Sequence, residues 1–294
     1  MKSTSRNQYG GQRGLIENLL RAYSRCAHVR LVNRGNAAIL SALTMAKEHL
    51  GKHPDKSLRK RKTVLVPDQG GWISFETYPP LLGFDVLTVK TDRGIIDLAD
   101  LVEKSKQAAA FLVTSFAGYF AEQPIRDIAD ACHKNACLVI EDVSGAVGDA
   151  TLCDGRIVDI IVGSFGEHKP VNNGYGGFVA TNDKALFGAG SVIFSATNFH
   201  PEYTLLLEKL KEVPARLELL LGRQVQVKRD MKKLGVEVLH PPLRGLNVVV
   251  RPKDGTQQKA VLDYCTKEEL KTIRCPKYIR VDEDAISIEI KRLP

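Results

Sequence analysis

Short apolar runs recur along the first two thirds of the chain, separated by stretches in which hydrophobic residues return at helical spacing. Leu15, Ile16, Leu19 and Leu20 share one face of a helix predicted over residues 14–23, and residues 37–50 form a second apolar-faced helix. The runs at 63–66, 85–89, 111–114, 137–140, 157–162 and 178–180 read as strands. A helix is predicted at 125–135, with Pro124 at its start, where a missing N–H is tolerated. Strands this apolar, alternating with helices, imply an α/β fold with a mainly parallel sheet covered on both faces. In such open sheets ligands bind beyond the C-terminal ends of the strands.

After Asp183 the pattern changes. A long charged helical stretch covers about 202–234, and a βαβ-like tail follows, with segments at 246–250, 258–264, 278–281 and 285–290. The expected organisation is a large domain over residues 1–185 and a small, contracted α+β domain over 186–294. No internal repeat or low-complexity tract interrupts either.

At 294 residues and 44% hydrophobic content the chain can bury a real core. No stretch approaches the roughly 20 apolar residues of a membrane span, and no apolar segment follows Met1 and Lys2 as a signal peptide requires. A cytoplasmic protein without a membrane partner is therefore expected. Cys26, Cys132, Cys137, Cys153, Cys265 and Cys275 show no CxxC spacing and sit among apolar neighbours, so they read as reduced core residues. Cys132, His133 and Cys137 lack a fourth ligand at metal spacing, and no metal is expected. Much of the net charge of +8 lies in residues 52–62. No aromatic residue is interleaved there as a stacking platform, which favours a solvated loop over a nucleic-acid site.

Two residues carry the chemistry. Asp142 ends the apolar run at 137–140, and Lys169 follows the next strand in Gly-Ser-Phe-Gly-Glu-His-Lys, just ahead of Asn-Asn-Gly-Tyr-Gly-Gly at 172–177. A carboxylate at one strand end and a lysine after the next form the pair that pyridoxal 5'-phosphate needs. The amine forms the Schiff base, and the carboxylate keeps the pyridine nitrogen protonated so that the ring acts as an electron sink.

Four blocks, in order, resemble the DegT-type sugar aminotransferases, a family of fold type I pyridoxal-phosphate enzymes. Val-Asn-Arg-Gly-Asn-Ala-Ala-Ile (32–39) is similar to the family's helix start, which implies that the backbone amides of Gly35 and Asn36 hold the cofactor phosphate. Asn36 stands where the family carries a hydroxyl residue. Trp72 matches the aromatic position that stacks on the pyridine, a role suited to a flat indole. Glu-Asp-Val-Ser-Gly-Ala-Val-Gly (141–148) resembles the family's Glu-Asp-Ala-Ala-Gln-Ala-His-Gly, with Asp142 as the pyridine partner and Gly145 where a polar side chain usually approaches the cofactor's phenolic oxygen. Ser164 to Lys169 resembles Ser-Phe-x-x-x-Lys, with Ser164 as a phosphate ligand and Lys169 as cofactor anchor and acid-base group.

The resemblance implies a homodimeric aminotransferase moving an amino group from glutamate or glutamine to a nucleotide-linked keto sugar or a similar carbonyl compound. Two alternatives stay open, the first because family members are longer after the lysine block and the second because of the departures at Asn36 and Gly145. One is a pyridoxal-phosphate lyase or a carrier- or tRNA-linked β-replacement enzyme, with residues 52–62 contacting the carrier. The other is a binding or regulatory protein that keeps the fold without turnover.

Overall fold

The structure is a computed structural model describing residues 3–277 and 281–294, with side chains described from Gly11 onward. Seven strands build the main sheet: β1 (His28–Val32), β2 (Thr63–Pro67), β3 (Asp85–Val89), β4 (Ala108–Thr114), β5 (Leu138–Asp142), β6 (Ile160–Ser164) and β7 (Gly177–Thr181). They lie in the order β1-β7-β6-β5-β4-β2-β3. The neighbours from β3 across to β6 are parallel, whereas β7 runs antiparallel to both β6 and β1. The expected mainly parallel sheet is thus present. The reversal at β7 follows from its connection, since no helix lies between Ser164 and Gly177 to make a parallel crossover.

Alternation along the strands divides the core. Val64, Val66, Ile140, Ile160, Val162 and Val179 face α2 (Gly35–Gly51), packing on its Ala38, Ile39, Ala42 and Leu43. Leu65, Phe111, Val139, Ile161 and Phe178 face the other layer, which α1 (Ser3–Ser24) supplies with Ile16 and Leu20. This period-two division is what a sheet buried on both faces requires.

Some elements differ from the expectation. Strand β1 was not anticipated; it precedes the Asn33–Arg34 turn and forms a sheet edge. Helix α3 (Ile73–Leu81) is hidden by Pro79 and Pro80 near its end. Helix α4 (Leu98–Ser105) starts at Asp97, whose carboxylate accepts from the amides of Ala99 and Asp100. Helix α5 (Ile125–His133) follows Pro124 as predicted.

Beyond the main sheet, α6 (Tyr203–Lys233) realises the long charged stretch. Its buried Leu206, Leu210, Val213 and Leu217 join the α1 layer. The βαβ-like tail is an antiparallel sheet with a short strand ahead of the expected segments. It holds β8 (Glu237–Val238), β9 (Val248–Arg251), α7 (Gly255–Lys267), β10 (Thr272–Cys275) and β11 (Ala285–Ile288), paired antiparallel in the order β8-β9-β11-β10. The segment expected at 278–281 lies largely outside the described residues. All six cysteines are buried. No helix among the described residues is long and apolar enough to cross a membrane.

The basic segment 52–62 precedes β2 and therefore lies at the sheet edge opposite the strand C-termini. Its Arg61 is structural, donating to the carbonyls of Ala108 at 2.8 Å and Asn135 at 2.7 Å.

Arg244, between β8 and β9, ties the tail to the main sheet. Its guanidinium reaches Glu122 at 2.5 Å and the buried Asp149 at 2.9 Å. Burial opposes the charge of Asp149, but Arg244 and the amides of Thr151 and Leu152 outweigh it and hold the carboxyl below its ordinary range. A depressed carboxylate contributes stability above its unfolded pKa and loses it as pH falls through the folded value. Arg244→Ala should therefore cost about 1–3 kcal/mol near neutrality. The deficit against wild type should shrink below about pH 4, as thermal melts across that range will show.

Candidate active site

A cavity of about 560 Å³ opens beyond the C-terminal ends of β4, β5 and β6. Its floor begins where β1 turns into α2. Arg34 occupies the N-cap position but its side chain makes no capping hydrogen bond, so the first amides of α2 face the cavity uncapped by it. Gly35 sits so tightly on β6 that a Cβ would lie 2.6 Å from Ser164 Cβ and 2.9 Å from its Oγ. Any larger residue would lift the helix from the strand.

Three side chains link the strand ends. The Ser144 amide donates to Asp142 Oδ1 at 2.9 Å, and the Ser164 amide donates to Ser144 Oγ at 3.0 Å. Ser164 Oγ in turn accepts from the Gly166 amide at 3.2 Å. Asp142 is buried, and that burial pushes its carboxyl up; the hydrogen bonds from Ser144 and the charge of Lys169 act in the opposite direction. Glu141, one residue earlier, points to the opposite sheet face. There burial pushes its carboxyl up to about 7, and Ser115 Oγ donates to it at 2.7 Å.

The loop from β6 to β7 presents Lys169. Phe165 N donates to Gly176 O at 2.9 Å and Asn173 N to Phe165 O at 2.9 Å, closing it into a narrow turn. Gly176 has φ +103, and a Cβ there would stand 2.6 Å from the Phe199 ring, so glycine is required. Lys169 Nζ lies 5.7 Å from the Trp72 ring centroid and 4.5 Å from that of Tyr119, and it is hydrogen-bonded to the Tyr119 hydroxyl.

All six residues singled out in the sequence therefore line one cavity: Gly35, Asn36, Trp72, Asp142, Ser164 and Lys169. Asn36 has a role the sequence did not suggest. Its Oδ1 accepts from Trp72 Nε1 at 2.9 Å and so fixes the indole plane. Several lining residues were missed. Ser144 was legible only as part of a motif, and Tyr119 follows a strand without any marked pattern. Lys291 and Arg292 arrive from the far end of the chain, where no local signal ties them to the cavity.

These residues suit pyridoxal phosphate. The amides at the α2 N-terminus, with Gly35 and Ser164, would receive the phosphate, and the indole of Trp72 would cover one ring face. Asp142 would meet the pyridine nitrogen and Lys169 the aldehyde. A buried carboxylate facing an amine across a cavity of this size, beside a helix start that admits only glycine, is a donor set matched to that group.

The strand order and this constellation define the class of fold type I pyridoxal-phosphate enzymes. Solved structures bear out the fold. PseC from Helicobacter pylori, an aminotransferase involved in the biosynthesis of pseudoaminic acid, is similar at 18% identity and TM-score 0.70, covering 95% of this chain and 85% of its own. Ureidoglycine-glyoxylate aminotransferase from Bacillus subtilis shows 14% identity and TM-score 0.70, over 96% and 80% of the two chains. Serine palmitoyltransferase from Sphingomonas wittichii shows 14% and 0.67, over 95% and 70%. No curated protein matches the sequence. The model of the DegT/DnrJ/EryC1/StrS aminotransferase family matches residues 1–195, and residues 218–294 match that of the MJ1341 family C-terminal domain. The chain belongs to the DegT/DnrJ/EryC1/StrS aminotransferase family. It is a pyridoxal-phosphate-dependent aminotransferase.

Gly35→Ala tests the phosphate end. Overpacking against Ser164 should weaken cofactor binding about tenfold or more. Titration of the apo protein with pyridoxal phosphate, followed by visible absorbance, measures it.

Proposed function

We propose that the protein transfers an amino group from glutamate or glutamine to a keto sugar, carried on a nucleotide, or to a similar carbonyl compound. The observation that carries this reading is the convergence of Lys169 and the buried Asp142 on one cavity that also receives the uncapped start of α2. The family match over residues 1–195 and the likeness to PseC support a sugar acceptor. Residues 218–294 resemble a different C-terminal unit, so the acceptor's outer contacts differ from those of longer relatives.

When bound, the cofactor supplies an electron sink for the bond cleaved at the substrate's α-carbon. The chain's residues do the rest. Asp142, shielded from water, would pair with the ring nitrogen and favour its protonated form. Lys169 Nζ would hold the cofactor, and as a free amine it would accept the α-carbon proton and later return one. Gly35, Asn36 and Ser164 would hold the phosphate, and Trp72, its indole locked by Asn36, would cover the ring. Residues 52–62, at the opposite sheet edge, take no part, which disfavours the carrier-contact alternative. The setting is cytoplasmic.

Borohydride reduction of the cofactor-loaded protein should fix the pyridoxyl mass on Lys169, read by peptide mass analysis. In the same preparation Asp142→Ala should retain this labelling but slow the absorbance change on adding glutamate by at least about tenfold, since removing a charge partner from a buried ring nitrogen costs more than about 1.4 kcal/mol. Labelling elsewhere would sink the assignment.

A two-fold dimer completes this proposal. The cavity is open at the sheet edge, and Leu15 on α1 with Ile73 and Leu81 on α3 expose apolar surface at 55%, 45% and 73%. An isologous partner would cover such surface and wall the cavity. Light scattering at micromolar concentration should return twice the chain mass; a monomer that turns over would refute it.

A further inference from the structure

Gly145 lies beneath the ring of Tyr119. A Cβ on Gly145 would stand 3.1 Å from both Tyr119 Cδ1 and Cε1 and 3.2 Å from Phe116 Cδ2. The space a side chain at 145 would need is already filled by this phenol. Tyr119 is held there by an unusual backbone: Gly118 and Tyr119 have φ 49 and 67, and the Tyr119 carbonyl accepts from the amides of Leu246 at 2.7 Å and Asn247 at 2.9 Å. Left-handed backbone at a tyrosine is costly and persists only where its surroundings enforce it. The two amides from the tail are that enforcement.

Two ammonium groups meet the same ring. Lys169 Nζ is 4.5 Å from its centroid and Lys291 Nζ is 4.8 Å from it. Lys291 is 6% exposed and pairs with the fully buried Glu289 at 3.1 Å. Glu289 is further satisfied by Ser287 Oγ at 2.7 Å and Asn247 Nδ2 at 3.0 Å. Among the described residues, the charged groups around Lys169 are Arg34 at the start of α2, Asp142 from β5, Lys291 and Arg292 from the tail with Glu289 behind Lys291, and Glu167 and His168 on its own loop.

We infer that Tyr119 is a positioning residue for Lys169: its ring takes the space Gly145 vacates, and its hydroxyl, opposed by the charge of Lys291, sets the pH at which the Lys169 amine becomes a nucleophile. The phenol oxygen accepts from the ammonium and stabilises the charged form, while Lys291 as a like charge disfavours it. The tail thereby reaches the reacting amine twice, through the clamp on the Tyr119 backbone and through Lys291. The inference rests on the reading that Lys169 captures the cofactor.

The test is the rate at which apo protein captures pyridoxal phosphate across pH. The neutral amine nitrogen adds to the aldehyde carbon and the aldehyde oxygen leaves as water, so the midpoint of the rate profile reports the Lys169 amine. Tyr119→Phe should move that midpoint down by about one pH unit, the scale of a hydrogen bond to a charged group. Gly145→Ala, which keeps the phenol but drives the ring aside, should move it the same way. Lys291→Met should move it up. A purely structural role for Tyr119 predicts no such opposed shifts. Capture on a lysine other than Lys169 in wild type overturns the underlying reading. Capture on Lys169 with an unmoved midpoint in Tyr119→Phe, or with Lys291→Met moving it down, overturns this inference alone.

Discussion

Placing a carboxylate in the interior obliges the surrounding chain to answer it, and Asp142 is the residue whose burial the rest of the site answers. An ionised group removed from water is tolerated only when donors and an opposite charge surround it. Ser144 supplies the donor from two residues downstream. The opposite charge has to come from another strand, which the loop after β6 delivers as Lys169. That loop turns back only because β7 runs antiparallel, and β7 in turn carries the sheet out to β1 and the start of α2. The carboxylate, the amine and the helix terminus are thus consequences of one another.

Much of this was legible before any coordinates. The parallel strands announced themselves as apolar runs, and Asp142 and Lys169 stood at their ends because polar groups at the close of a buried strand need a reason. What escaped was of two kinds. Elements with weak periodicity were lost, such as β1, where alternate positions are only half buried, and α3, where two prolines break the expected pattern. Groups recruited from distant sequence were lost as well. Nothing local in Lys291 or in Leu246 and Asn247 points to the cavity, because their placement is set by an antiparallel sheet whose register depends on long-range pairing.

Asn36 and Gly145 illustrate how a departure from a motif is read differently once neighbours are known. Each looked like a lost contact with the cofactor. In the structure Asn36 works on Trp72, and Gly145 makes room for an aromatic ring. A substitution inside a close-packed site exchanges one set of contacts for another, because interiors leave few voids unfilled.

The pairing of β1 with β7 carries a kinetic consequence. His28 faces Thr181 and Val32 faces Gly177, so the edge strand finds its partner only after a very long stretch of chain has been gathered. Pairings this remote in sequence pay their loop-closure entropy before any contact rewards them. The parallel strands from β2 to β6 are linked by much shorter crossovers and can organise sooner. The start of α2 meets Ser164 only once β1 has docked, which makes this end of the cavity among the last features to assemble. A ligand bound there stabilises only molecules that have finished this step.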